Sequence, residues 1–432
     1  MRYPSVLGAL PLALILGACG GGGQDGPQSY GADPTLPEPN RSLLPSMNIA
    51  DPAPWGDRKP KVPQNYSVTA IATDLKVPRQ TLILPNGDIL VAEGKGGKKE
   101  PKLRPKDLIA GYIKAKGTTS VKSGDRLTLL RDADGDGTYE LQSVFADKLN
   151  APYGLALFEG NLYVANQDAL VRFDYQDGQT KASGPPSKIT DLPAQINHHW
   201  TKSLTVSPDG RFLYVGIGSN SNITERGMEA EVDRAMIWQI DARTGTHKPY
   251  ATGLRNPTAL AIQPGSEQLW AVVNERDELG ANLVPDYLTS VREGAFYGWP
   301  YSYWGQHVDD RVKPQNPDLV AAAIKPDYAL GSHVAALGLD FSTSAMGNAF
   351  AEGVFIGEHG SWNREKPVGY KVVFVPFSNG HPAGDPVDFV TGFQTADGKT
   401  MGRPVGVTVD PRGTLIVADD LANIVWRVTR TQ

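Results

Sequence analysis

Residues 403–418 read Arg-Pro-Val-Gly-Val-Thr-Val-Asp-Pro-Arg-Gly-Thr-Leu-Ile-Val-Ala, which is two short apolar runs joined by an Asp-Pro-Arg-Gly turn. Both runs contain β-branched residues, which favour β-strands. In the turn, Pro presets its own φ angle and Gly tolerates a left-handed backbone, so the chain can reverse direction. The stretch therefore predicts a β-hairpin.

The same strand-turn-strand pattern occurs six times along the chain. The copies lie at residues 77–92, 151–165, 199–215, 256–273, 335–357 and 403–418. Their spacing of about 60 residues suits four-stranded blades of ~40–50 residues with variable loops between them. Such a unit cannot bury both of its faces alone, and stacking in a closed ring also protects the strand edges. The sequence therefore predicts an all-β fold, a six-bladed β-propeller, over residues 66–432.

The composition is that of an ordinary globular protein. The chain has 432 residues, of which 40% are hydrophobic and 21% charged, so it is long enough to bury a sizeable core. It contains 47 Gly and 34 Pro, which is typical of a turn-rich β-protein. The formal net charge of −5 gives no case for nucleic-acid binding.

Residues 1–18 predict a bacterial lipoprotein signal peptide. Arg2 precedes an apolar run over residues 6–16, which is too short to span a membrane but suits a signal peptide. The following Leu16-Gly17-Ala18-Cys19 resembles a lipobox, in which the Cys is diacylated and becomes the mature N-terminus. We therefore expect a lipid anchor at Cys19. It would hold the protein on the periplasmic side of a bacterial membrane, with the outer membrane favoured over the inner.

Residues 19–65 are rich in Gly, Pro, Ser and Asn. A segment of this composition has too few apolar side chains to form a core of its own. It therefore predicts a flexible tether between the anchor and the propeller.

Several motifs are more specific than a strand pattern. They are Gly253-Leu254-Arg255-Asn256-Pro257, Asn274-Glu275-Arg276-Asp277-Glu278-Leu279-Gly280, Phe296-Tyr297-Gly298-Trp299-Pro300, His359-Gly360-Ser361-Trp362-Asn363-Arg364 and Gly402-Arg403-Pro404. In this order and spacing they resemble the glucose/sorbosone dehydrogenase family, nearest its sorbosone branch, over residues 66–430. The family fold is a six-bladed propeller, in agreement with the six copies.

The resemblance implies an oxidoreductase that oxidises an aldose or a sugar aldehyde with the quinone cofactor PQQ. Hydride would pass from the sugar to PQQ, Ca²⁺ would polarise the quinone, and the electrons would pass on to a quinone or a cytochrome. A hard divalent cation suits an oxygen that gains electron density, and guanidinium groups suit the cofactor's carboxylates.

The resemblance also assigns roles to individual residues. His199 aligns best with the family's general base, and His198 lies one position before it. A neutral imidazole is a suitable acceptor for the sugar's hydroxyl proton. Arg255 and Asn256 match an Arg-Asn pair that meets the cofactor and the active site. The remaining expected contacts are with PQQ for Arg403, Arg364 and Asn150, and with Ca²⁺ for the backbone carbonyls of Glu275 and Arg276.

One departure from the family bears on the mechanism. In the glucose enzymes an Asp follows an Ile-Gly pair and orients the catalytic His, whereas here Ile217-Gly218 is followed by Ser219. A Ser cannot stabilise an imidazolium by charge, which argues against glucose as the preferred substrate and leaves the orienting residue open. Two alternatives also stay open. One is a metal-dependent sugar lactonase on a similar propeller, and the other is a non-catalytic propeller that binds carbohydrate or protein.

Overall fold

The structure, a computed structural model, describes residues 29–40, 45–97 and 105–431, apart from the side chains of residues 105–107. The predicted signal peptide and Cys19 lie outside the described residues. No helix in the described part of the chain is long and apolar enough to cross a membrane.

The described strands form six antiparallel blades, which we number along the chain. The strand β1 (Tyr66–Ala72) precedes them. Blade 1 contains β2 (Pro78–Ile83), β3 (Ile89–Glu93), β4 (Arg126–Arg131) and β5 (Leu141–Ala146), with helix α1 (Pro105–Lys116) between β3 and β4. Blade 2 contains β6 (Gly154–Phe158), β7 (Asn161–Ala165), β8 (Ala169–Asp174) and β9 (Ser187–Asp191). Blade 3 contains β10 (Lys202–Val206), β11 (Phe212–Ile217), β12 (Met236–Asp241) and β13 (His247–Thr252).

The last three blades carry the larger insertions and the chain terminus. Blade 4 contains β14 (Pro257–Ile262), β15 (Leu269–Val273), β16 (Pro285–Val291) and, after an insertion holding β17 (Ser302–Tyr303), β18 (His307–Val308) and α2 (Pro317–Ala322), β19 (Tyr328–Ser332). Blade 5 contains β20 (Ala336–Phe341), β21 (Gly353–Glu358), β22 (Lys371–Ser378), β23 (His381–Pro382) and β24 (Val387–Val390). Blade 6 contains β25 (Pro404–Val409), β26 (Thr414–Asp419) and β27 (Ile424–Arg430). Short 3₁₀ turns cover Met228–Glu231, Ser344–Met346 and Asn348–Phe350.

The ring is closed by the first strand. β1 pairs antiparallel with β27, in register from Tyr66 opposite Arg430, and becomes the outermost strand of blade 6. The innermost strands contact one another in the order β2, β6, β10, β14, β20 and β25, and β25 returns to β2. The predicted six-bladed β-propeller is thus confirmed, and each of the six sequence copies supplies the two inner strands of a blade.

The core lies between neighbouring blades. Trp270 of blade 4, for example, is fully buried against Phe341 and Phe377 of blade 5, with ring centroids 6.5 and 5.1 Å away. Each such aromatic side chain removed from water contributes about 1.5–3 kcal/mol. The blades therefore depend on one another for stability.

The propeller has one face on which most of its functional loops meet, here called the top face. Successive strands of a blade run in opposite directions, so the connection between the second and third strands emerges on the same face as the connection into the next blade. The loops 94–125, 218–235, 274–284 and 359–370 are connections of the first kind. The segments just before β6, β10, β14 and β25 are connections of the second kind.

Residues 45–65 of the predicted tether, here called the N-terminal strap, pack against the propeller. Trp55 of the strap is 6% exposed and packs edge-on against Phe393 and Trp426, with centroids 5.4 and 5.1 Å away. Its indole N–H donates to Asp419 at 3.3 Å. A segment with few apolar residues can still dock on an existing core, which composition alone does not reveal.

Candidate active site

The centre of the top face has a floor, formed by Tyr153. Its ring is fully buried beside Leu337 and Val405, and its hydroxyl donates to the Leu337 carbonyl at 3.1 Å, joining blade 2 to blade 5 across the ring. The amide of Gln80 donates to the same carbonyl at 2.9 Å. These contacts separate the top face from a cavity of about 300 Å³ lined by the innermost strands.

His199 lies in the loop that leads into blade 3. Its Nδ1 is 2.8 Å from the carbonyl oxygen of Ser219 and 3.0 Å from that residue's hydroxyl, which itself donates to the carbonyl of Ser221 at 2.6 Å. A carbonyl can only accept, so Nδ1 carries the hydrogen and the lone pair is on Nε2. Desolvation of the ring, reinforced by the charges of Arg255 and His198, holds the pKa of His199 well below its usual value. The ring is therefore neutral near pH 7, as a general base requires.

His199 and Asn256 come together over Gly218. A Cβ atom on Gly218 would lie 2.2 Å from Asn256 Oδ1 and 2.5 Å from His199 Cβ, so only glycine allows this approach. Asn256 is 7% exposed, and its Oδ1 has no hydrogen-bond partner among the described residues. A buried acceptor left unpaired costs about 1–3 kcal/mol, which a donor on a bound molecule would recover.

Arg255 is committed to the protein itself. It is 3% exposed, and its Nε donates to the Asn222 carbonyl at 3.4 Å. Nη1 donates to the carbonyls of Glu275 at 2.7 Å and Asn274 at 3.4 Å, and Nη2 donates to the Asn222 side chain at 3.0 Å and to Asp277 at 3.5 Å. These bonds use all five N–H groups of the guanidinium. Arg255 therefore ties blades 3 and 4 together and has no N–H left for a cofactor carboxylate in this arrangement.

The predicted calcium ligands are the backbone carbonyls of Glu275 and Arg276, and the first of them is already engaged. The Glu275 carbonyl accepts from Arg255 at 2.7 Å, so a full positive charge lies beside that oxygen and would repel a cation there. Arg276 is 1% exposed, and its guanidinium pairs with Asp309 and donates to the Asp277 carbonyl. Both residues thus stabilise the loop 274–284.

Arg403 links three segments of the top face. Its Nε, Nη1 and Nη2 donate to the carbonyls of His359 at 2.9 Å, Gly117 at 2.9 Å and Gly360 at 2.8 Å. Three of its five N–H groups are used in these bonds, which leaves two for a ligand. The predicted role of Arg403 in cofactor binding therefore remains compatible with the structure.

The two other predicted cofactor residues are engaged with neighbouring loops. Arg364 is 2% exposed and donates to the carbonyl of Ala281 and, at 2.8 Å, to the side chain of Asn282. Asn150 is exposed, donates to Asp168 at 2.6 Å and accepts from Gln167 at 2.7 Å. Arg364 thus lies beside blade 4, and Asn150 lies at the rim of blade 2.

Arg79 is a site residue that the motifs did not identify. It is 8% exposed, pairs with Asp420, and its guanidinium lies over the rings of Tyr153 and Trp200 at 5.5 and 5.2 Å. Its Nε is buried without a hydrogen-bond partner in the described structure. One signal was available in the sequence, since Arg79 holds the same position in the first copy as the floor residue Tyr153 holds in the second.

His359 belongs to one of the quoted motifs, but only the structure shows its place in the site. Its Nε2 is 2.8 Å from Asp420 Oδ1, on the other side of that carboxylate from Arg79. Burial, together with the charge of Arg403, lowers the pKa of His359 to about 4. Burial alone would raise the pKa of Asp420, but His359 and Arg79 outweigh it and hold that carboxyl ionised.

Fold and site together define a class of protein, a six-bladed β-propeller with a neutral histidine and several arginines around a closed floor on its top face. The chain belongs to the TrAA12-like family, whose model matches residues 60–285 and 306–431.

The chain is also similar to individual proteins. The chain is 28% identical over 298 residues to an uncharacterized protein of Borreliella burgdorferi, covering 66% of this chain and 76% of that protein. It is 22% identical over 321 residues to a pyrroloquinoline quinone-dependent pyranose dehydrogenase of Coprinopsis cinerea, covering 62% of this chain. The alignment takes in 43% of the Coprinopsis protein, so this chain spans less than half of that relative's length.

Solved structures share the fold. The holo form of the PQQ domain of Coprinopsis cinerea pyranose dehydrogenase superposes with a TM-score of 0.68 at 20% identity, covering 86% of this chain and 97% of that chain. A calcium structure of a Trichoderma reesei carbohydrate-active enzyme of family AA12 gives a TM-score of 0.67 at 19% identity, covering 89% and 99%. At these identities the likeness establishes the propeller.

Proposed function

We propose that this protein is a PQQ-dependent oxidoreductase that oxidises an aldose or a sugar aldehyde such as sorbosone, with His199 as the general base. The observation that carries the proposal is the neutral imidazole of His199, whose Nδ1–H is held by Ser219 and whose Nε2 lone pair is available. The Coprinopsis relative, named as a PQQ-dependent pyranose dehydrogenase, supports the cofactor and the substrate class.

The residues around the floor fit an anionic cofactor with several carboxylates. Arg79 has a buried Nε with no partner in the described chain, and Arg403 has two N–H groups to offer. Asn256 offers a buried acceptor for a donor on the cofactor or the sugar. When bound, PQQ would supply the quinone that accepts hydride.

His199 supplies the proton chemistry. Loss of hydride from an alcohol carbon leaves positive charge, so the hydroxyl proton must leave with it, and Nε2 of His199 would take it. The low pKa of His199 keeps the ring neutral and competent into mildly acidic solution. Arg255 holds the adjacent loops in place and raises the cost of the imidazolium, which favours onward release of the proton.

Calcium is a separate prediction. The calcium structure of the Trichoderma reesei enzyme supports it, whereas the Arg255 contact on the Glu275 carbonyl argues against that ligand. No step of the chemistry proposed above depends on calcium. Protein treated with EDTA should regain sugar oxidation when Ca²⁺ is added, and equal activity before and after chelation would exclude a calcium requirement.

We also propose that Cys19 anchors the protein by lipid on the periplasmic side of the membrane, and that a quinone or a cytochrome takes the electrons. The motivation for the lipid anchor is the lipobox-like sequence Leu16-Gly17-Ala18-Cys19. A metal-dependent lactonase is not favoured, because two carboxylates of the top face, Asp277 and Asp420, are paired with Arg255 and Arg79.

The proposal is tested by reconstitution. Purified protein is incubated with PQQ and Ca²⁺ and assayed for dye reduction with a panel of aldoses and sugar aldehydes. We expect turnover with at least one of these sugars and none when PQQ is left out. If no sugar on the panel reduces the dye while the folded protein is saturated with PQQ, the proposed activity is wrong.

A further inference from the structure

His199 has no carboxylate as its direct partner, yet a buried carboxylate lies close behind it. Ser219 accepts the Nδ1–H of His199 with both its carbonyl and its hydroxyl. The Ser219 hydroxyl donates to the carbonyl of Ser221, and the Ser221 hydroxyl donates to Glu231. The imidazole is therefore connected to Glu231 through two serines.

Glu231 holds in place the two residues that follow Ser219. It is 7% exposed, it ends the 3₁₀ turn Met228–Glu231, and its second carboxylate oxygen accepts the backbone N–H of Asn220 at 2.7 Å. Its two oxygens thus hold two successive residues directly after Ser219. Bonds to a charged acceptor are about twice as strong as neutral ones, so the carboxylate restrains the Ser219 carbonyl firmly.

We propose that Glu231, acting through Ser221 and Ser219, is a positioning residue that takes over the orienting role of the absent aspartate. The proposal rests on the proposed function only in treating His199 as the base. Ser219 selects the tautomer with hydrogen on Nδ1, and Glu231 keeps Ser219 where it can do so.

Arg234 completes the same unit from the opposite side. It is 4% exposed, its Nε donates to the Gly218 carbonyl at 2.8 Å, and its Nη2 donates to the His199 carbonyl at 2.9 Å. Glu231 and Arg234 are three residues apart and are joined by a hydrogen bond from the backbone N–H of Arg234 to the backbone carbonyl of Glu231 at 3.1 Å. One short segment therefore fixes both partners of the contact between His199 and Ser219.

The placement has an electrostatic consequence. Arg255, His198 and Arg234 lie near His199, and the positive charge that each can carry opposes protonation of the ring. Glu231 opposes them only from a distance, because Coulomb attraction weakens as the separation grows. The network therefore orients the base without making it strongly basic, unlike a carboxylate bonded to the imidazole.

The first test uses the protein without cofactor. The protonation of His199 is followed by NMR titration in the wild type and in Ser219→Asp. A carboxylate placed directly beside the ring should raise the pKa of His199 by about 1–3 units. An unchanged titration in folded Ser219→Asp would show that residue 219 does not face the ring, and would overturn the proposal.

The second test compares Glu231→Gln with Glu229→Gln, an exposed carboxylate on the same turn. Loss of the Glu231 charge should move the His199 titration to lower pH. It should also reduce kcat about tenfold with KM unchanged, as expected for the loss of one hydrogen bond to a charged group. Glu229→Gln should match the wild type. If Glu231→Gln folds poorly, Ser221→Ala removes the same link with less disturbance.

The outcomes separate the two proposals. If Glu231→Gln and Ser221→Ala lower thermal stability but leave the His199 titration unchanged, the network is purely structural and the inference fails. If the titrations shift as expected but the wild type with PQQ oxidises no sugar, the network stands and the proposed function fails.

Discussion

At the scale of single residues, the structure leaves His199 only one nitrogen with which to accept a proton. Nδ1–H is committed to Ser219, so Nε2 must act. His199→Ala should therefore lower kcat roughly 10²–10⁴-fold, the usual contribution of a general base, and leave PQQ affinity unchanged. Steady-state dye reduction and a PQQ titration measure the two quantities.

His198→Ala is the matched control, since the His198 ring packs edge-on against His199 with centroids 4.6 Å apart. The His198→Ala substitution should reduce activity much less than His199→Ala does.

The wild-type kcat/KM should fall on the acidic side as His199 gains a proton, with a midpoint below the ordinary pKa of 6.5. Near-wild-type turnover in His199→Ala would contradict its role as the base.

The positions of the site residues follow from the repeat. His199, Asn256 and Arg403 hold equivalent positions in three copies, one to three residues before an innermost strand. The sequence alone therefore predicts that they lie on the same face of the propeller. The engagement of Arg255 could not be predicted, because its partners Asn222 and Asp277 lie in loops remote from it in sequence. Hydrogen bonds between loops depend on their three-dimensional packing, which a repeat pattern does not encode.

At the scale of structural elements, the N-terminal strap should contribute to stability through Trp55. Replacing a buried aromatic residue by Ala usually costs about 3–5 kcal/mol. Trp55→Ala should lower the free energy of unfolding by that amount, measured by urea denaturation. Tyr112→Ala on α1 is the control, because Tyr112 is 68% exposed and exposed substitutions stay within about 0.5 kcal/mol. Equal stability of the two variants would contradict the docked strap.

The strand β21 contains a carboxylate that should make stability depend on pH. Burial raises the pKa of Glu358 to about 8 from its ordinary 4.5. At a pH between 4.5 and 8, the Glu358 carboxyl is ionised in the unfolded chain but neutral in the folded chain. The stabilising effect of Glu358 is therefore complete below pH 4.5 and is lost as the pH rises through 8, by up to about 5 kcal/mol.

Glu358→Gln removes this ionisation and keeps the shape of the side chain. Its free energy of unfolding should fall less than that of the wild type as the pH is raised from about 5 to about 8. Urea denaturation at both pH values gives the comparison. If both proteins lose the same stability over this range, Glu358 does not titrate in the folded state as stated here.

The hairpins and the strap show what local sequence can predict. Turns such as Asp410-Pro411-Arg412-Gly413 are specified by residues a few positions apart, and they form the predicted reversals between inner strands. Docking of Trp55 depends instead on Phe393 and Trp426, more than 300 residues away. Local composition therefore does not predict that residues 45–65 pack against the core.

At the scale of the whole molecule, the number of blades and a closed ring followed from counting copies, but the strand pairing that closes the ring did not. The pairing of β1 with β27 joins the two ends of the propeller and leaves no trace in the local pattern of either strand. Nothing in the repeat distinguishes an outermost strand supplied by the N-terminal side from one supplied by the C-terminal side.

The attachment of the whole molecule to a membrane is predicted to depend on Cys19. Cys19→Ala removes the thiol that the lipid would modify. The variant should move from the membrane fraction to the soluble fraction when cells are broken and centrifuged. A variant that stays fully in the membrane fraction would show that the anchor is elsewhere.

The central claim is that the floor of the top face, beside His199, holds PQQ, and calorimetric titration of the purified protein with PQQ tests it most directly. We expect saturable binding of one PQQ per chain. Binding should be weakened about 10–100-fold in Arg403→Ala, since a hydrogen bond between charged groups contributes about 1.5–3 kcal/mol. Absence of saturable binding to the folded wild-type protein would contradict the account.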